Sequence, residues 1–193
     1  MKEIEQAVLV VDVQNDFCPG GNLAVKDGDQ VVEPLNNLIS YAHSKGWLTA
    51  ASRDWHPEKS DHFDIWPKHC VQDTFGAGFH PDLNLEGVTV FSKGMGDKDN
   101  GYSPFEGTDN QGQGLEKFLE NVKKIYIGGL ATDYCVRAAV LDAIKLKYEV
   151  YLMTDAIKAV NLNTGDGEKA ISEMIKAGAK PTTISKLLER KGE

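Results

Sequence analysis

The chain has 193 residues, of which 41% are apolar and 26% charged, and its formal net charge is −8. This length suits one domain with a substantial core, so we expect a single domain over 1–193. The acidic balance argues against nucleic-acid binding, which needs a basic surface. The three cysteines are odd in number and lack a paired spacing, which favours a reducing compartment over a disulfide framework.

The sequence shows neither a secretion signal nor a membrane-spanning segment. Its first residues are acidic, whereas a signal peptide begins with basic residues and continues into a longer apolar stretch. No apolar run approaches the roughly 20 residues that cross a bilayer. We therefore predict a cytoplasmic protein that binds neither membrane nor nucleic acid, and we leave open whether it forms a homo-oligomer.

Six short apolar runs without alternation predict strands that are buried on both faces of a parallel sheet. They cover 7–12, 47–52, 88–91, 125–127, 150–153 and 181–184. Helical stripes lie between them at 31–42, 136–144 and 170–175, with a shorter candidate at 114–122. Strands that alternate with helices predict an α/β fold. We expect a three-layer, doubly wound, mainly parallel six-stranded sheet with helices on both faces.

Polar or reactive residues follow four of the predicted strands, namely Asp12, Asp54, Lys93 and Cys135. Ligands bind beyond the carboxyl ends of the strands in open α/β sheets, so these residues predict a site. Cys135 follows a double-glycine turn and falls in the first turn of a predicted helix. The unpaired N–H groups there favour a thiolate and can hold an oxyanion. The alternative is a small apolar core residue.

The first candidate constellation consists of Asp12, Lys93 and Cys135. A thiol that attacks a carbonyl carbon needs a base, and the carboxylate of Asp12 can take the proton. The ammonium group of Lys93 would favour both the ionised acid and the thiolate. The structural alternative for Asp12 and Lys93 is a partly buried ion pair.

The second candidate constellation is a set of metal-binding residue types. Asp54 and His56 are two residues apart, so both side chains point the same way in an extended segment. His62 and His69 follow in the next loop. A carboxylate with imidazoles suits zinc, iron or manganese. Surface histidines are the alternative.

The third candidate constellation is a set of aromatic residues near these positions. Phe17, Trp66 and Tyr102 could enclose a flat ring between them. Core packing is the alternative for each of them.

Six segments together resemble the nicotinamidase and pyrazinamidase family of isochorismatase-like cysteine hydrolases. They are VDVQNDFCPGG at 11–21, RDWHP at 53–57, WPKHCV at 66–71, KG at 93–94, GYSPFEG at 101–107 and GLATDYCV at 129–136. The resemblance spans residue 7 to about residue 180. The acid, lysine and cysteine segments mark the superfamily, whereas the metal segments are more specific to this family.

The resemblance implies a catalytic triad of Asp12, Lys93 and Cys135. It also implies a cis peptide bond between Leu130 and Ala131. The backbone N–H groups of Ala131 and Cys135 would form the oxyanion hole.

The resemblance further implies one divalent metal ion. Zinc is the first choice, and iron and manganese are the alternatives. Asp54, His56 and His69 would be its ligands. Relatives differ in their fourth protein ligand. We favour His62 for it, and Ser60 or Asp64 acting through water are the alternatives.

The activity that the resemblance implies is hydrolysis of nicotinamide to nicotinate and ammonia through a cysteine thioester, within NAD salvage, with pyrazinamide as a further substrate. Phe17, Trp66 and Tyr102 would line the pocket for this small carboxamide, with Gln14 nearby. A second hypothesis is another hydrolase of the superfamily, acting on an N-carbamoyl compound, a ureido acid or isochorismate. A third is a non-enzymatic metal-binding or thiol-redox module, because fold alone does not specify function.

Overall fold

A six-stranded sheet forms the centre of the protein, and every neighbouring pair of its strands is parallel. The computed structural model describes residues 4–96 and 101–189, so both ends of the predicted domain lie outside the described residues. The strands are β1 (Gln6–Val11), β2 (Leu48–Asp54), β3 (Thr89–Lys93), β4 (Lys124–Leu130), β5 (Glu149–Lys158) and β6 (Lys180–Thr182). Their order across the sheet is β3-β2-β1-β4-β5-β6.

Five α-helices accompany the sheet in the described part of the chain. They are α1 (Val32–Lys45), α2 (Leu115–Phe118), α3 (Cys135–Lys145), α4 (Asp166–Ala177) and α5 (Ile184–Glu189). The helix predicted at 114–122 is shorter in the structure, because the chain continues as a turn after Phe118. No helix among the described residues is both long enough and apolar enough to span a membrane.

The last predicted strand, 181–184, is wrong at its end. The strand stops at Thr182, and Ile184 begins α5 instead. The carboxylate of Asp155 accepts the backbone N–H of Ile184 at 2.9 Å, so it satisfies one of the unpaired donors at the start of that helix.

Helices cover both faces of the sheet, as the sequence predicts. Side chains alternate along β1, so Val8 and Val10 pack on one face and Leu9 on the other. The first face is covered by α1 and α5, and the second by α2, α3 and α4. Each interface is a separate buried apolar cluster. The three-layer doubly wound architecture is confirmed.

The order of the strands reverses direction between β1 and β4, which are neighbours in the sheet. Such a switch point leaves a crevice beyond the carboxyl ends of the strands. The backbones approach closely there: a Cβ on Gly129 would lie 2.1 Å from the carbonyl oxygen of Val11, and the φ angle of Gly129 is 127°. Only glycine suits this position. Asp12, Asp54 and Lys93 lie at or directly after the ends of β1, β2 and β3.

Candidate active site

The ammonium group of Lys93 lies at the centre of a buried cluster of charges. Its Nζ atom is 2.8 Å from Oδ2 of Asp12, 2.5 Å from Oδ1 of Asp54 and 3.5 Å from Sγ of Cys135. It also donates to the carbonyl oxygen of Gly101 at 2.5 Å. The side chains of Asp12, Lys93 and Cys135 therefore meet. Asp12, Asp54 and Cys135 also offer closely spaced metal-ligand atoms, but the Lys93 ammonium lies among them.

Burial disfavours the charged form of every group in this cluster, and the neighbouring charges decide in which direction each pKa shifts. Burial alone would lower the pKa of Lys93, but Asp12 and Asp54 hold that pKa well above its ordinary value. Burial would raise the pKa of Asp54, but Lys93 and His56 hold it well below its usual range. For Asp12, burial outweighs Lys93 and the pKa is raised. Asp12 is therefore the carboxylate of the pair that is more disposed to accept a proton.

The surroundings of Cys135 favour the protonated form of its thiol. Burial raises its pKa well above the ordinary value; Lys93 opposes that shift, while Asp12 and Asp54 add to it. The sequence indicated that the start of α3 favours a thiolate, with Asp12 as the group that takes the thiol proton. The helix does begin at Cys135, but burial and the two carboxylates act in the opposite direction on the pKa of its thiol.

Asp12 is placed to take the thiol proton. One of its carboxylate oxygens lies within 4.8 Å of Sγ of Cys135. Oδ1 accepts the hydroxyl of Ser52 at 2.7 Å, whereas Oδ2 is buried and, despite its 2.8 Å approach to Lys93, forms no directed hydrogen bond. Asp12 can therefore act as the base for the thiol.

Three buried histidines form a second cluster directly beside the first. Ring nitrogens of His56, His62 and His69 all lie within 4.8 Å of one another. Oδ2 of Asp54 is 3.8 Å from Nε2 of His56 and 4.0 Å from Nε2 of His69. The carboxylate of Asp54 thus contacts Lys93 with one oxygen and faces the histidines with the other.

The hydrogen bonds of His56 and His69 prepare both rings to bind a metal ion. Nδ1 of His56 contacts the carbonyl oxygen of Gly94 at 2.9 Å, and Nδ1 of His69 contacts that of Pro67 at 2.7 Å. A carbonyl oxygen only accepts, so each Nδ1 carries a hydrogen and Nε2 is the ring atom that can bind a metal ion. Burial lowers the pKa of His69, which favours the neutral form of its ring. Nε2 of His56 is buried without a hydrogen-bond partner, as a metal ligand would be before it binds an ion. These residues fit a divalent ion.

Among the three alternatives for a fourth ligand, His62 is the one whose side chain lies in this cluster. It is buried, and its ring stacks on that of His56 with the centroids 4.5 Å apart. The oxygen of Ser60 instead accepts the backbone N–H of His62 at 3.2 Å, and Asp64 is exposed. The geometry therefore favours His62.

A pocket opens beside Cys135. The predicted aromatic residues Phe17, Trp66 and Tyr102 line it. The indole N–H of Trp66 donates to the hydroxyl of Tyr102 at 2.9 Å, which fixes the two rings relative to each other. Asp54, His62, His69 and Ala131 also reach this pocket. A flat aromatic molecule could thus lie between the aromatic rings, within reach of both clusters.

The predicted oxyanion hole has its expected backbone. The peptide bond between Leu130 and Ala131 is cis, as the resemblance implied. Ala131 lines the pocket together with Cys135. In the described part of the chain, neither the N–H of Ala131 nor that of Cys135 donates to another backbone group. The absence of backbone acceptors for these two donors among the described residues suits the predicted oxyanion hole.

Gln14, which the resemblance places near the substrate, forms its side-chain hydrogen bonds with backbone groups. Its side chain is fully buried and does not line the pocket. Nε2 donates to the carbonyl oxygens of Asp54 at 2.8 Å and Ala77 at 2.9 Å, and Oε1 accepts the N–H of Asp54 at 2.7 Å. Because these bonds use both the nitrogen and the oxygen of the side-chain amide, Gln14 holds the backbone of Asp54 in place rather than binding a molecule in the pocket.

Three pocket residues escaped the sequence reasoning: Leu23, Tyr134 and Val160. Tyr134 packs edge-on against Trp66 with the ring centroids 4.9 Å apart. Its position directly before Cys135 was an available signal. Leu23 and Val160 lie in segments that carry no motif of their own, so nothing in the sequence singles them out.

Comparison with known proteins matches this fold and site. The model of the isochorismatase domain family matches residues 6–186, and the chain therefore belongs to that family. Among curated relatives, the nicotinamidase of Escherichia coli K12 is 38% identical over 210 residues, covering 97% of this chain and 99% of its own. The nicotinamidase/pyrazinamidase of Mycobacterium tuberculosis is 36% identical over 169 residues, covering 82% and 89%.

A solved structure extends this agreement to three dimensions. The pyrazinamidase of Pyrococcus horikoshii in complex with zinc is 43% identical and superposes with a TM-score of 0.84, covering 93% of this chain and 99% of its own. The resemblance drawn from the sequence segments is confirmed at the level of the family.

Proposed function

We propose that this protein is a metal-dependent amidohydrolase that converts nicotinamide to nicotinate and ammonia through a thioester on Cys135. The observation that carries the proposal is the meeting of the Lys93 charge cluster and the histidine cluster at one aromatic pocket, joined through Asp54. Similarity to nicotinamidases over nearly the whole chain supports this substrate. Pyrazinamide, a flat carboxamide of similar size, is the proposed second substrate. The reaction belongs to NAD salvage.

The first half-reaction forms the thioester. Asp12 takes the proton of Cys135 as Sγ attacks the carboxamide carbon. The ammonium group of Lys93 stabilises the negative charge on the carboxylate before the transfer and on the sulfur after it. The N–H groups of Ala131 and Cys135 donate to the developing oxyanion, and removing one such donor typically costs about 2.7–4 kcal/mol of transition-state stabilisation. Asp12 then gives its proton to the amide nitrogen. The carbon–nitrogen bond breaks and ammonia leaves.

The second half-reaction frees the enzyme. Water attacks the thioester carbon while Asp12 again accepts a proton. The carbon–sulfur bond breaks, nicotinate departs, and the proton returns to the sulfur of Cys135. One carboxylate thus serves as base and acid in turn, which its raised pKa supports.

Asp54, His56, His62 and His69 are the proposed ligands of one divalent ion. Imidazole nitrogens with one carboxylate suit zinc, and also iron or manganese, so we propose zinc first. When bound, such an ion supplies a Lewis acid that can orient a substrate ring or activate water.

We treat 1–193 as a single isochorismatase-like hydrolase domain, and we place the reaction in the cytoplasm. The three cysteines are free, which suits a reducing compartment. Light scattering on the purified protein would establish whether it forms a homo-oligomer.

A coupled ammonia assay tests the proposed function. Nicotinamide should release ammonia, chelation should abolish the release, and one added divalent metal should restore it. The Cys135→Ala variant, prepared in the same way, is the control for contaminating amidase. If protein purified without added metal contains none and still hydrolyses an N-carbamoyl compound rather than nicotinamide, another hydrolase activity of the family replaces this proposal.

A further inference from the structure

We propose that Asp16 is a positioning residue that sets the metal affinity of the histidine cluster. This inference rests on the proposed metal-dependent function. Asp16 is only 5% exposed, and none of the chemical steps above uses its carboxylate. A buried carboxylate is costly unless it is hydrogen-bonded, so its partners indicate what it does.

The carboxylate of Asp16 binds the backbone directly after a proposed metal ligand. Oδ2 accepts the N–H of Cys70 at 2.7 Å, and Oδ1 accepts that of Asn22 at 3.1 Å. Cys70 follows His69 in the chain and has a φ angle of 46°, in the left-handed region that non-glycine residues rarely adopt. The charge-assisted hydrogen bond from the N–H of Cys70 to Asp16 therefore fixes the peptide group that joins His69 to Cys70.

The same residue, Cys70, is also bonded to the strand extension that carries His56. The N–H of His56 donates to the carbonyl oxygen of Cys70 at 3.0 Å, and the N–H of Gln72 donates to the carbonyl oxygen of His56 at 2.8 Å. Cys70 is thus bound to Asp16 on one side and to His56 on the other. Because His56 and His69 must keep their separation to share one ion, this bond to Asp16 is a fixed point for both.

The loop that faces Asp16 leaves room for its carboxylate. A Cβ on Gly76 would lie 2.2 Å from Oδ2 and 2.4 Å from Cγ of Asp16. The backbone N–H of Asp16 also donates to the carbonyl oxygen of Gly76 at 3.0 Å. A methyl group at Gly76 would therefore displace the carboxylate without removing it, which offers a second and independent perturbation.

Zinc titration of chelator-stripped protein tests this inference, with a chromophoric chelator as competitor. Asp16→Asn should bind zinc about 10-fold more weakly or worse, as expected for the loss of an outer partner of a metal ligand. Turnover lost at limiting zinc should return when zinc is saturating, and Gly76→Ala should shift the affinity in the same direction. Asp155→Asn is the matched control, because its carboxylate also accepts a backbone N–H but at the start of α5. Its zinc affinity should equal that of the wild type.

The outcomes separate this inference from the function on which it rests. A wild-type protein that binds no zinc would overturn the metal-dependent function and this inference with it. A wild type that binds zinc while folded Asp16→Asn binds it equally well would overturn the inference alone. If Asp16→Asn does not fold even at saturating zinc, Gly76→Ala decides: weaker zinc binding supports the positioning role, and unchanged binding overturns it.

Discussion

Replacing Lys93 by methionine should lower the free energy of unfolding by about 3–5 kcal/mol, the usual cost of removing one partner from a buried ion pair. The Nζ atom of Lys93 contacts Asp12 at 2.8 Å and Asp54 at 2.5 Å, and all three side chains are buried. Methionine fills most of the same volume, so the change tests the charge rather than a cavity. For a chain of this size the loss corresponds to a melting temperature lower by roughly 6–20 °C.

Turnover of nicotinamide by Lys93→Met should also fall, by about 10²–10⁴-fold, because Asp12 then loses the cation that favours its ionised form as the base. Urea unfolding and calorimetry measure the stability, and the ammonia assay measures turnover. Both should be run on chelated and zinc-loaded protein, since a cation beside Asp54 should reduce the loss of stability.

The control for this variant is Lys117→Met, whose lysine is exposed and pairs with Glu120 at the surface. Exposed pairs contribute little, so its unfolding should match that of the wild type. If Lys93→Met unfolds within about 1 kcal/mol of the wild type with and without zinc, a range typical of surface pairs, the buried charge cluster does not have the role we assign to it.

Cys135→Ala should abolish turnover while binding zinc with wild-type affinity, measured by metal analysis and titration; residual nicotinamide hydrolysis would rule out the covalent route. Gly94→Ala should weaken zinc binding by about 10-fold, as an outer perturbation of a ligand does. The reason is that a Cβ on Gly94 would lie 2.4 Å from Cε1 of His56 and would displace that ring. An unchanged zinc affinity would contradict the role of His56 as a metal ligand. Tyr102→Phe removes the acceptor of the Trp66 N–H, so KM should rise by about 5- to 10-fold with little change in kcat. A fall in kcat alone would instead place Tyr102 in the chemistry.

The fold was predictable because its signals are local. Strands buried on both faces leave unalternated apolar runs, and the glycine that ends α1, Gly46, has the left-handed φ of 68° that a helix end favours. One boundary that failed, the end of the last strand, depends on a distant residue. Ile184 begins a helix because the carboxylate of Asp155, 29 residues earlier in the chain, accepts its N–H. Local propensity carries no information about such a partner.

The site was predictable to the extent that its residues follow strands. Parallel strands bring their carboxyl ends to one edge of the sheet, so Asp12, Lys93 and Cys135 meet there. The direction of a side chain is a different matter. Gln14 lies in the same segment as Asp12, but its amide turns away from the pocket toward the backbone of Asp54. Only the folded backbone determines that choice.

The full surroundings of the Cys135 sulfur also lay beyond sequence reasoning. A helix start favours a thiolate, and the sequence shows the helix start. It does not show that Asp54 adds a second carboxylate near this sulfur, or that Cys135 is only 7% exposed. These surroundings favour a thiolate that forms during attack, by proton transfer to Asp12, over one that persists at rest.

Asp54 links the two halves of the site, and this affects how variants should be interpreted. Its Oδ1 contacts Lys93, while its Oδ2 faces the Nε2 atoms of His56 and His69. A change at Asp54 therefore alters metal binding and the charge cluster together, so lost activity in such a variant cannot be assigned to either. Changes at His56 and Lys93 each remove a group from one side only. Comparing zinc affinity and turnover in those two variants separates the role of the metal from that of the nucleophile.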